Sequence, residues 1–156
     1  MALDISPPRQ FLTHAHWTMG REKMSKSTGN VVNPFFAIDR FGVDALRYFL
    51  VHNGGLKDDS PYDNSYIIEM YKKALDGGLG NLASRVLRGK QWNVRKSVIL
   101  NKLPEDESAQ KHVAALEKLP AYIDKYMTEP DPRSALQIIS TLIYRVSQVA
   151  RFGKGC

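Results

Sequence analysis

Cysteine is nearly absent from this sequence, which has one, Cys156, among its 156 residues. A single cysteine excludes an intrachain disulfide and a cysteine-based metal cage, and it fits a reducing compartment. Long hydrophobic runs are absent too. No window approaches the roughly 18 uninterrupted apolar residues of a membrane-spanning helix, and no apolar signal-peptide core lies near the start. The sequence therefore predicts neither a membrane protein nor a secreted protein.

The composition is that of an ordinary globular domain, 43% hydrophobic and 24% charged, which allows a real core to form. The formal net charge of +6 comes from the middle of the chain, where residues 85–102 carry six cations, no acid and one aromatic, Trp92. Such a stretch is typical of a surface that binds a polyanion, because phosphate neutralisation dominates nucleic-acid affinity. A solvated basic loop explains the same charges, and this feature alone leaves both interpretations open.

The front of the chain predicts short elements separated by turn residues. Residues 1–32 predict strand and loop. Asn33-Pro34 predicts the start of a short helix, since asparagine can cap free amides and proline is preset for the first helical position. Gly42 is expected to end that helix, and a second one should span residues 43 to about 51.

Beyond a polar loop at residues 57–63, a long helix is predicted from a cap at Asp63, Asn64 or Ser65 to about Arg88. Apolar residues recur there at spacings of three and four, so one buried stripe should run through Gly77-Gly78 without losing phase. Its members are Ile67, Met70, Tyr71, Ala74, Leu75, Leu79, Leu82, Val86 and Leu87.

Two further helices are expected, over residues 107–127, which Pro120 could kink, and over residues 133–152. The back half of the chain is therefore predicted to be a helical bundle.

The sharpest chemical signal is the run Lys23-Met24-Ser25-Lys26-Ser27, in a segment bounded by Gly20 and Gly29. We call residues 20–29 the lysine loop. Two flexible lysines can stabilise charge that develops on a phosphate during displacement, and the serines add donors for phosphate oxygens. Glycines let such a loop close over a nucleotide. A plain polar surface loop is the alternative.

Residues 23–34 resemble the second signature sequence of class I aminoacyl-tRNA synthetases. Residues 41–50 are similar to the segment after this loop in methionyl-tRNA synthetases. Residues 80–86 resemble the start of that family's helical anticodon-binding domain, where an asparagine and an arginine four residues apart read the anticodon. Asn81 and Arg85 match that pair position for position.

The resemblance implies a mainly α chain with two parts. Residues 1–60 are expected to be the end of a Rossmann-like α/β catalytic core with its lysine loop, and residues 61–156 a partial α-helical anticodon-binding bundle. The family's upstream histidine signature and methionine pocket are not found in the sequence. His14 and His16 lack that signature's glycine and are expected to be strand residues supporting the active-site floor. We therefore expect a fragment of a methionyl-tRNA synthetase that does not aminoacylate alone.

The implied activity is ATP-dependent activation of methionine and its transfer to methionine tRNA. Lys26 is expected to be the main catalytic residue and Lys23 the second, because both would stabilise charge on the α-phosphate and the departing pyrophosphate. ATP is expected to bind Lys23, Ser25, Lys26 and Ser27 together with Mg²⁺, with no metal site in this chain. The expected partners are tRNA, ATP and methionine, the expected state is a monomer, and no membrane contact is expected.

At about 100° per residue, Asn81, Arg85 and Arg88 fall on one side of a helix, roughly 100° from the apolar stripe. Amide and guanidinium groups in that position can read or stack on unpaired bases, so these three residues are expected to bind the anticodon. For Asn81 alone, a solvated helix position is the alternative.

Residues 16–18 and 29–32 look more like mitochondrial or bacterial-type enzymes, so the mitochondrial matrix is expected, with the cytoplasm as the alternative. Three other functions stay open: a non-catalytic tRNA-binding helical module, a structural bundle, and a related synthetase for another amino acid.

Overall fold

The computed structural model describes residues 6–56, 58–88, 93–100 and 106–152. The strands are β1 (Trp17–Met19), β2 (Glu22–Lys23) and β3 (Ser60–Pro61). The helices are α1 (Pro34–Phe41), α2 (Val43–Asn53), α3 (Asn64–Met70), α4 (Asn81–Arg88), α5 (Val94–Leu100), α6 (Glu107–Thr128) and α7 (Pro132–Phe152), and a π-helical segment, Tyr71–Gly80, joins α3 to α4. The predicted mainly α fold is confirmed. Within the described ranges no helix combines the length and apolarity needed to cross a bilayer.

A small sheet has the strand order β2-β1-β3 and includes the start of the lysine loop, so the prediction of a loop between Gly20 and Gly29 is wrong at Glu22 and Lys23. Strand β1 pairs antiparallel with β2 and parallel with β3. The prediction of a polar loop over residues 57–63 is therefore wrong at Ser60 and Pro61. The Ser60 amide donates to the His16 carbonyl (2.9 Å) and the Tyr62 amide donates to the Thr18 carbonyl (2.8 Å). A pairing this short and this distant in sequence leaves no periodic signal in the strand itself.

The predicted helix caps are present. The Phe35 amide donates to the Asn33 side chain (2.9 Å) at the start of α1, and Gly42, at φ +81°, ends that helix. Helix α2 continues to Asn53, two residues past the predicted end. At the start of α3 the Ser65 amide donates to Asp63 Oδ1 (2.7 Å). Hydrogen bonds from Ser65, first from its hydroxyl and then from its amide, lower the pKa of the Asp63 carboxyl.

The long helix predicted to end near Arg88 is continuous, because the backbone stays right-handed helical at both junctions of the π segment. Its predicted phase is wrong. Bonding from i to i+5 puts more residues in each turn than an α-helix has, so residues beyond the π segment are rotated from their expected positions. Leu79 and Leu87, expected on the buried stripe, are 51% and 69% exposed.

The substitution Gly77→Ala tests the π-helical geometry. We expect it to lower the free energy of unfolding, whereas in an ordinary α-helix it would raise it. Alanine normally stabilises a helix interior by about 0.5–1 kcal/mol relative to glycine. A Cβ at Gly77 would lie 2.7 Å from the Lys72 carbonyl oxygen, a backbone atom that cannot move aside alone. We expect a loss of roughly 1–3 kcal/mol, as for other overpacked sites, measured by urea unfolding. Stabilisation by Gly77→Ala would contradict the π-helical assignment.

The core lies where α1, α2 and α3 meet the sheet. Phe49 and Ile67 are fully buried there, and partly buried Trp17 and Tyr62 pack against them. The Phe49 ring centroid lies 5.5 Å from that of Trp17 and 5.8 Å from that of Tyr62. Burial also raises the pKa of the Tyr62 hydroxyl, and the nearby charge of Asp63 adds to the shift. The lysine-loop end of the chain and the long helix thus share one buried cluster.

The last two helices pack on each other, and α7 also packs on α2, α4 and the π segment. Their predicted bounds are confirmed to within one residue, and Pro120 lies inside α6. Helix α5 was not predicted.

Candidate functional site

A tight hairpin carries the start of the lysine loop. Gly20 (φ +58°) and Arg21 (φ +74°) connect β1 to β2, and two consecutive residues with positive φ match the twist of a two-residue hairpin. Lys23 pairs with Thr18 in this hairpin. Trp17 comes directly before Thr18 in β1, and its ring contacts the ring of Phe49. The backbone of Lys23 is therefore tied to the core through β1.

The rest of the loop is a compact turn around Lys26. The Thr28 amide donates to the Ser25 carbonyl (3.2 Å), and the Gly29 amide donates to the Lys26 carbonyl (3.4 Å). Gly29 has a φ of +70°, which side-chain-bearing residues rarely adopt. The Ser25 and Ser27 hydroxyl oxygens lie 2.7 Å apart. This turn places the two serines side by side next to Lys26.

The side chain of Asn30, directly after the loop, reaches back into it. Its Nδ2 donates to the Lys23 carbonyl (3.2 Å), and its Oδ1 accepts from the Ser25 amide (2.7 Å). Thr28 Oγ1 lies 2.8 Å from the same Oδ1 and 3.0 Å from the Ser25 carbonyl, so its single proton is shared. These partners fix the orientation of the Asn30 amide, since a backbone N–H only donates and a carbonyl only accepts.

Both lysine side chains of the loop are exposed. Within the described ranges, no carboxylate forms an ion pair with Lys23 or Lys26. Met24 is half-buried, and its amide donates to the Trp17 carbonyl (3.1 Å). The loop thus combines an anchored backbone with two ammonium groups that remain available to an anionic ligand.

Asn81 and Arg85 lie on α4 and are half-buried towards α7. Arg85 Nη1 donates to the carbonyl of Ser147 (3.2 Å). Asn81 lines a cavity of about 430 Å³. Other residues that line it are His52, Lys73, Ser140, Tyr144 and Ser147. The sequence predicts a pair roughly 100° from the apolar stripe, on a side open to a ligand, whereas the structure places the pair beside α7 and half-buried.

Sequence reasoning missed the polar residues that α2 and α7 contribute around this cavity. Ser147 Oγ is buried and has no hydrogen-bond partner in the part of the chain that the structure describes. Ser140 Oγ lies 2.9 Å from the Tyr48 hydroxyl, and the His52 ring stacks on Tyr48 with a centroid distance of 5.6 Å. No motif marks these positions, because helices distant in sequence bring them together.

Arg88 differs from the other two members of the predicted trio. It is exposed and lines a separate, open cavity of about 300 Å³ beside Leu87.

In the basic stretch, α5 carries Arg95 and Lys96 as exposed side chains. Lys90, Trp92 and Lys102 lie outside the described residues.

His14 and His16 do not occupy the predicted strand positions. Both are exposed and precede β1. The amide of His16 donates to Asp59 Oδ1 (2.8 Å), and its ring Nδ1 lies 3.7 Å from the same oxygen. The described part of the chain contains no group of three or more histidine, cysteine or acidic side chains arranged to hold a metal ion.

Comparison with known proteins shows which family this chain belongs to. The family model described as tRNA synthetases class I (M) matches residues 1–87, a range that includes the lysine loop, Asn81 and Arg85. The chain belongs to the class I aminoacyl-tRNA synthetases. Within that class it is a member of the methionyl-tRNA synthetase family, as its relatives also indicate.

The chain is similar to a probable mitochondrial methionine–tRNA ligase of Neurospora crassa, with 45% identity over 92% of this chain and 25% of that protein. It is also similar to a methionine–tRNA ligase of Rickettsia typhi, with 38% identity over 56% of this chain and 17% of that protein. The structure of Mycobacterium tuberculosis methionyl-tRNA synthetase bound by methionyl-adenylate matches with a TM-score of 0.70 and 25% identity, over 85% of this chain and 26% of that one. The chain thus spans at most about a quarter of these relatives.

Proposed function

We propose that this chain supplies the lysine loop and the start of the anticodon-binding domain of a methionine–tRNA ligase. Residues 1–60 form the end of its Rossmann-like catalytic core, and residues 61–156 form a partial helical anticodon-binding bundle. The observation that carries the proposal is the family match over residues 1–87, since it spans both the lysine loop and the pair Asn81 and Arg85. The two parts share the buried cluster around Phe49, because residues of both belong to it. This shared core supports a fixed arrangement of the lysine loop relative to the start of the helical bundle.

The first reaction step activates methionine. A carboxylate oxygen of methionine attacks the α-phosphorus of ATP, the bond from that phosphorus to the bridging oxygen breaks, and pyrophosphate leaves. Negative charge grows on the α-phosphate and on the departing oxygen. The Lys26 ammonium, with Lys23 as the second cation, stabilises this charge in the transition state. Their exposure on an anchored loop supports this assignment.

Ser25 and Ser27 act beside the lysines as donors to phosphate oxygens of ATP. Their hydroxyl oxygens lie 2.7 Å apart, so one hydroxyl can donate to the other and orient it towards the ligand. When bound, the Mg²⁺ that accompanies ATP would be held by phosphate oxygens and waters and would neutralise part of the phosphate charge.

The second step transfers the methionyl group. A ribose hydroxyl of the tRNA's terminal adenosine attacks the carbonyl carbon of the adenylate, and an ester bond forms. The bond from that carbon to the phosphate oxygen breaks, AMP leaves with the bonding electrons, and the hydroxyl proton is released to solvent. Asn81, Arg85 and Arg88 bind the anticodon of methionine tRNA. The cavity beside Asn81 and the placement of Arg85 next to it support recognition of an unstacked base, while the exposed Arg88 is available to the phosphate backbone.

The compartment that we propose is the mitochondrial matrix. Relatives from Neurospora crassa, Dictyostelium discoideum and Bos taurus are named as mitochondrial, and they support this location. A bacterial relative from Rickettsia typhi is also similar, as expected for a bacterial-type enzyme.

The activity is tested by ATP–pyrophosphate exchange with the full-length enzyme that contains this segment. We expect exchange that depends on methionine, and none with leucine, isoleucine, valine or cysteine. The isolated chain of 156 residues serves as the control and should show no exchange. Exchange driven by another amino acid, or exchange by the isolated chain, would contradict the proposal.

A further inference from the structure

Asn30 is the only residue in the described part of the chain whose side chain bonds to three separate points of the lysine loop. It donates to the Lys23 carbonyl, accepts from the Ser25 amide, and lies within hydrogen-bonding distance of Thr28 Oγ1. Two of these partners are backbone groups on either side of Met24. The third belongs to the turn that follows Lys26. One amide therefore joins the strand end of the loop to its turn.

We propose that Asn30 is a positioning residue that holds Lys23 and Lys26 in the arrangement that stabilises the transition state of methionine activation. This inference rests on the proposed function of the loop. Asn30 acts through the backbone of the loop and not by touching ATP. Since the ammonium groups sit on long flexible stems, a fixed backbone is what limits the region that they can reach.

The chemistry of an amide suits this position. Its oxygen meets two donors and its nitrogen meets a carbonyl, so both ends of the group are used. A carboxylate would place an oxygen against the Lys23 carbonyl, and alanine would lose all three contacts. Thr28 contributes to the same arrangement through its hydroxyl, which also reaches the Ser25 carbonyl. The loop is thus closed by side chains from its C-terminal end.

The test measures ATP–pyrophosphate exchange and thermal unfolding of the full-length enzyme carrying Asn30→Ala. We expect kcat to fall by roughly 10- to 100-fold, the scale associated with misplaced catalytic groups. The KM values for ATP and methionine should stay within about twofold, because an interaction made only in the transition state affects kcat and not ground-state binding.

A matched control separates positioning from stability. Asn33 also accepts a backbone hydrogen bond, from the Phe35 amide, but it does so at the cap of α1, outside the loop. Asn33→Ala should lower the unfolding temperature without the loss in kcat. An equal loss of kcat in Asn33→Ala, or a kcat within about twofold of wild type in Asn30→Ala, would overturn the inference.

A second pair of variants keeps the test decisive if Asn30→Ala does not fold. Thr28→Val removes the hydroxyl near Asn30 with little change in shape, and Thr28→Ser restores it. We expect kcat to be reduced in Thr28→Val and to recover in Thr28→Ser. An unchanged kcat in Thr28→Val would contradict the positioning role.

Lys26→Ala in the same assay tests the proposed function itself. If Lys26→Ala loses activity and Asn30→Ala does not, only the role of Asn30 fails.

Discussion

Lys26→Ala in the full-length enzyme is expected to lower methionine-dependent ATP–pyrophosphate exchange by about 10²- to 10³-fold, the loss typical of removing one preorganised group that stabilises developing charge. In the proposed role, the Lys26 ammonium would interact with the α-phosphate and the leaving pyrophosphate most strongly when negative charge on them is greatest. The kcat and kcat/KM values should therefore fall together, with little change in KM. Steady-state exchange kinetics at varied ATP concentration measure both values.

Two further variants sharpen this expectation. Lys26→Arg keeps the charge but replaces a compact point charge with a planar fork, so we expect only partial activity. Lys125→Ala removes another exposed lysine, on α6, and should leave exchange unchanged. A loss in Lys125→Ala as large as that in Lys26→Ala would indicate a general effect of surface charge, and full activity in Lys26→Ala would remove the loop from the chemistry.

Phe49→Ala is expected to lower the free energy of unfolding of the chain by about 3–5 kcal/mol, the usual cost of truncating a buried aromatic side chain. Phe49 is 0% exposed and its ring contacts both Trp17 and Tyr62. The cavity left behind would adjoin the strand that anchors the lysine loop and the start of α3. Urea-induced unfolding followed by tryptophan fluorescence measures the loss. Trp17 lies in this cluster, and a Trp92→Phe background removes the signal of the second tryptophan.

The matched control for Phe49 is its neighbour on the same helix. Leu50 is 37% exposed, so Leu50→Ala should cost clearly less than Phe49→Ala because less apolar surface returns to water. Equal losses in the two variants would show that the cluster around Phe49 does not dominate the stability of this region.

Local signals in the sequence were sufficient for most helix boundaries. Asn33 and Asp63 cap their helices as expected, because a cap depends only on a side chain and the amides two or three residues later. Gly42 ends α1 for a similarly local reason, its positive φ. The functional prediction for the lysine loop rests on the resemblance of residues 23–34 to a family signature, because a plain polar surface loop explains the lysines and serines equally well.

Features that depend on distant pairing or on a change of helical type were not predictable. Strand β3 forms because the Ser60 amide donates a hydrogen bond to the His16 carbonyl, far away in sequence. A strand of two residues has no periodic pattern from which this pairing could be predicted. The π segment, Tyr71–Gly80, changes the number of residues per turn and so rotates the residues that follow, whereas the predicted apolar periodicity assumes a constant turn. The contact between Arg85 and Ser147 depends on that altered phase and on how α7 packs. The positioning role proposed for Asn30 could not be inferred from the sequence, because its three hydrogen-bonding partners come together only when the loop is folded.

The most direct measurement compares the binding of methionine tRNA with that of the same tRNA carrying an altered anticodon, to the full-length enzyme at fixed salt concentration. Fixed salt is needed because phosphate contacts alone give strong, unspecific affinity. Asn81→Ala and Arg85→Ala should each remove much of the preference for the CAU anticodon. Lys96→Ala, an exposed cation on α5, should weaken binding to both tRNAs equally. Equal binding of both tRNAs by the wild-type enzyme, or a preference that survives both substitutions, would contradict anticodon recognition by this segment.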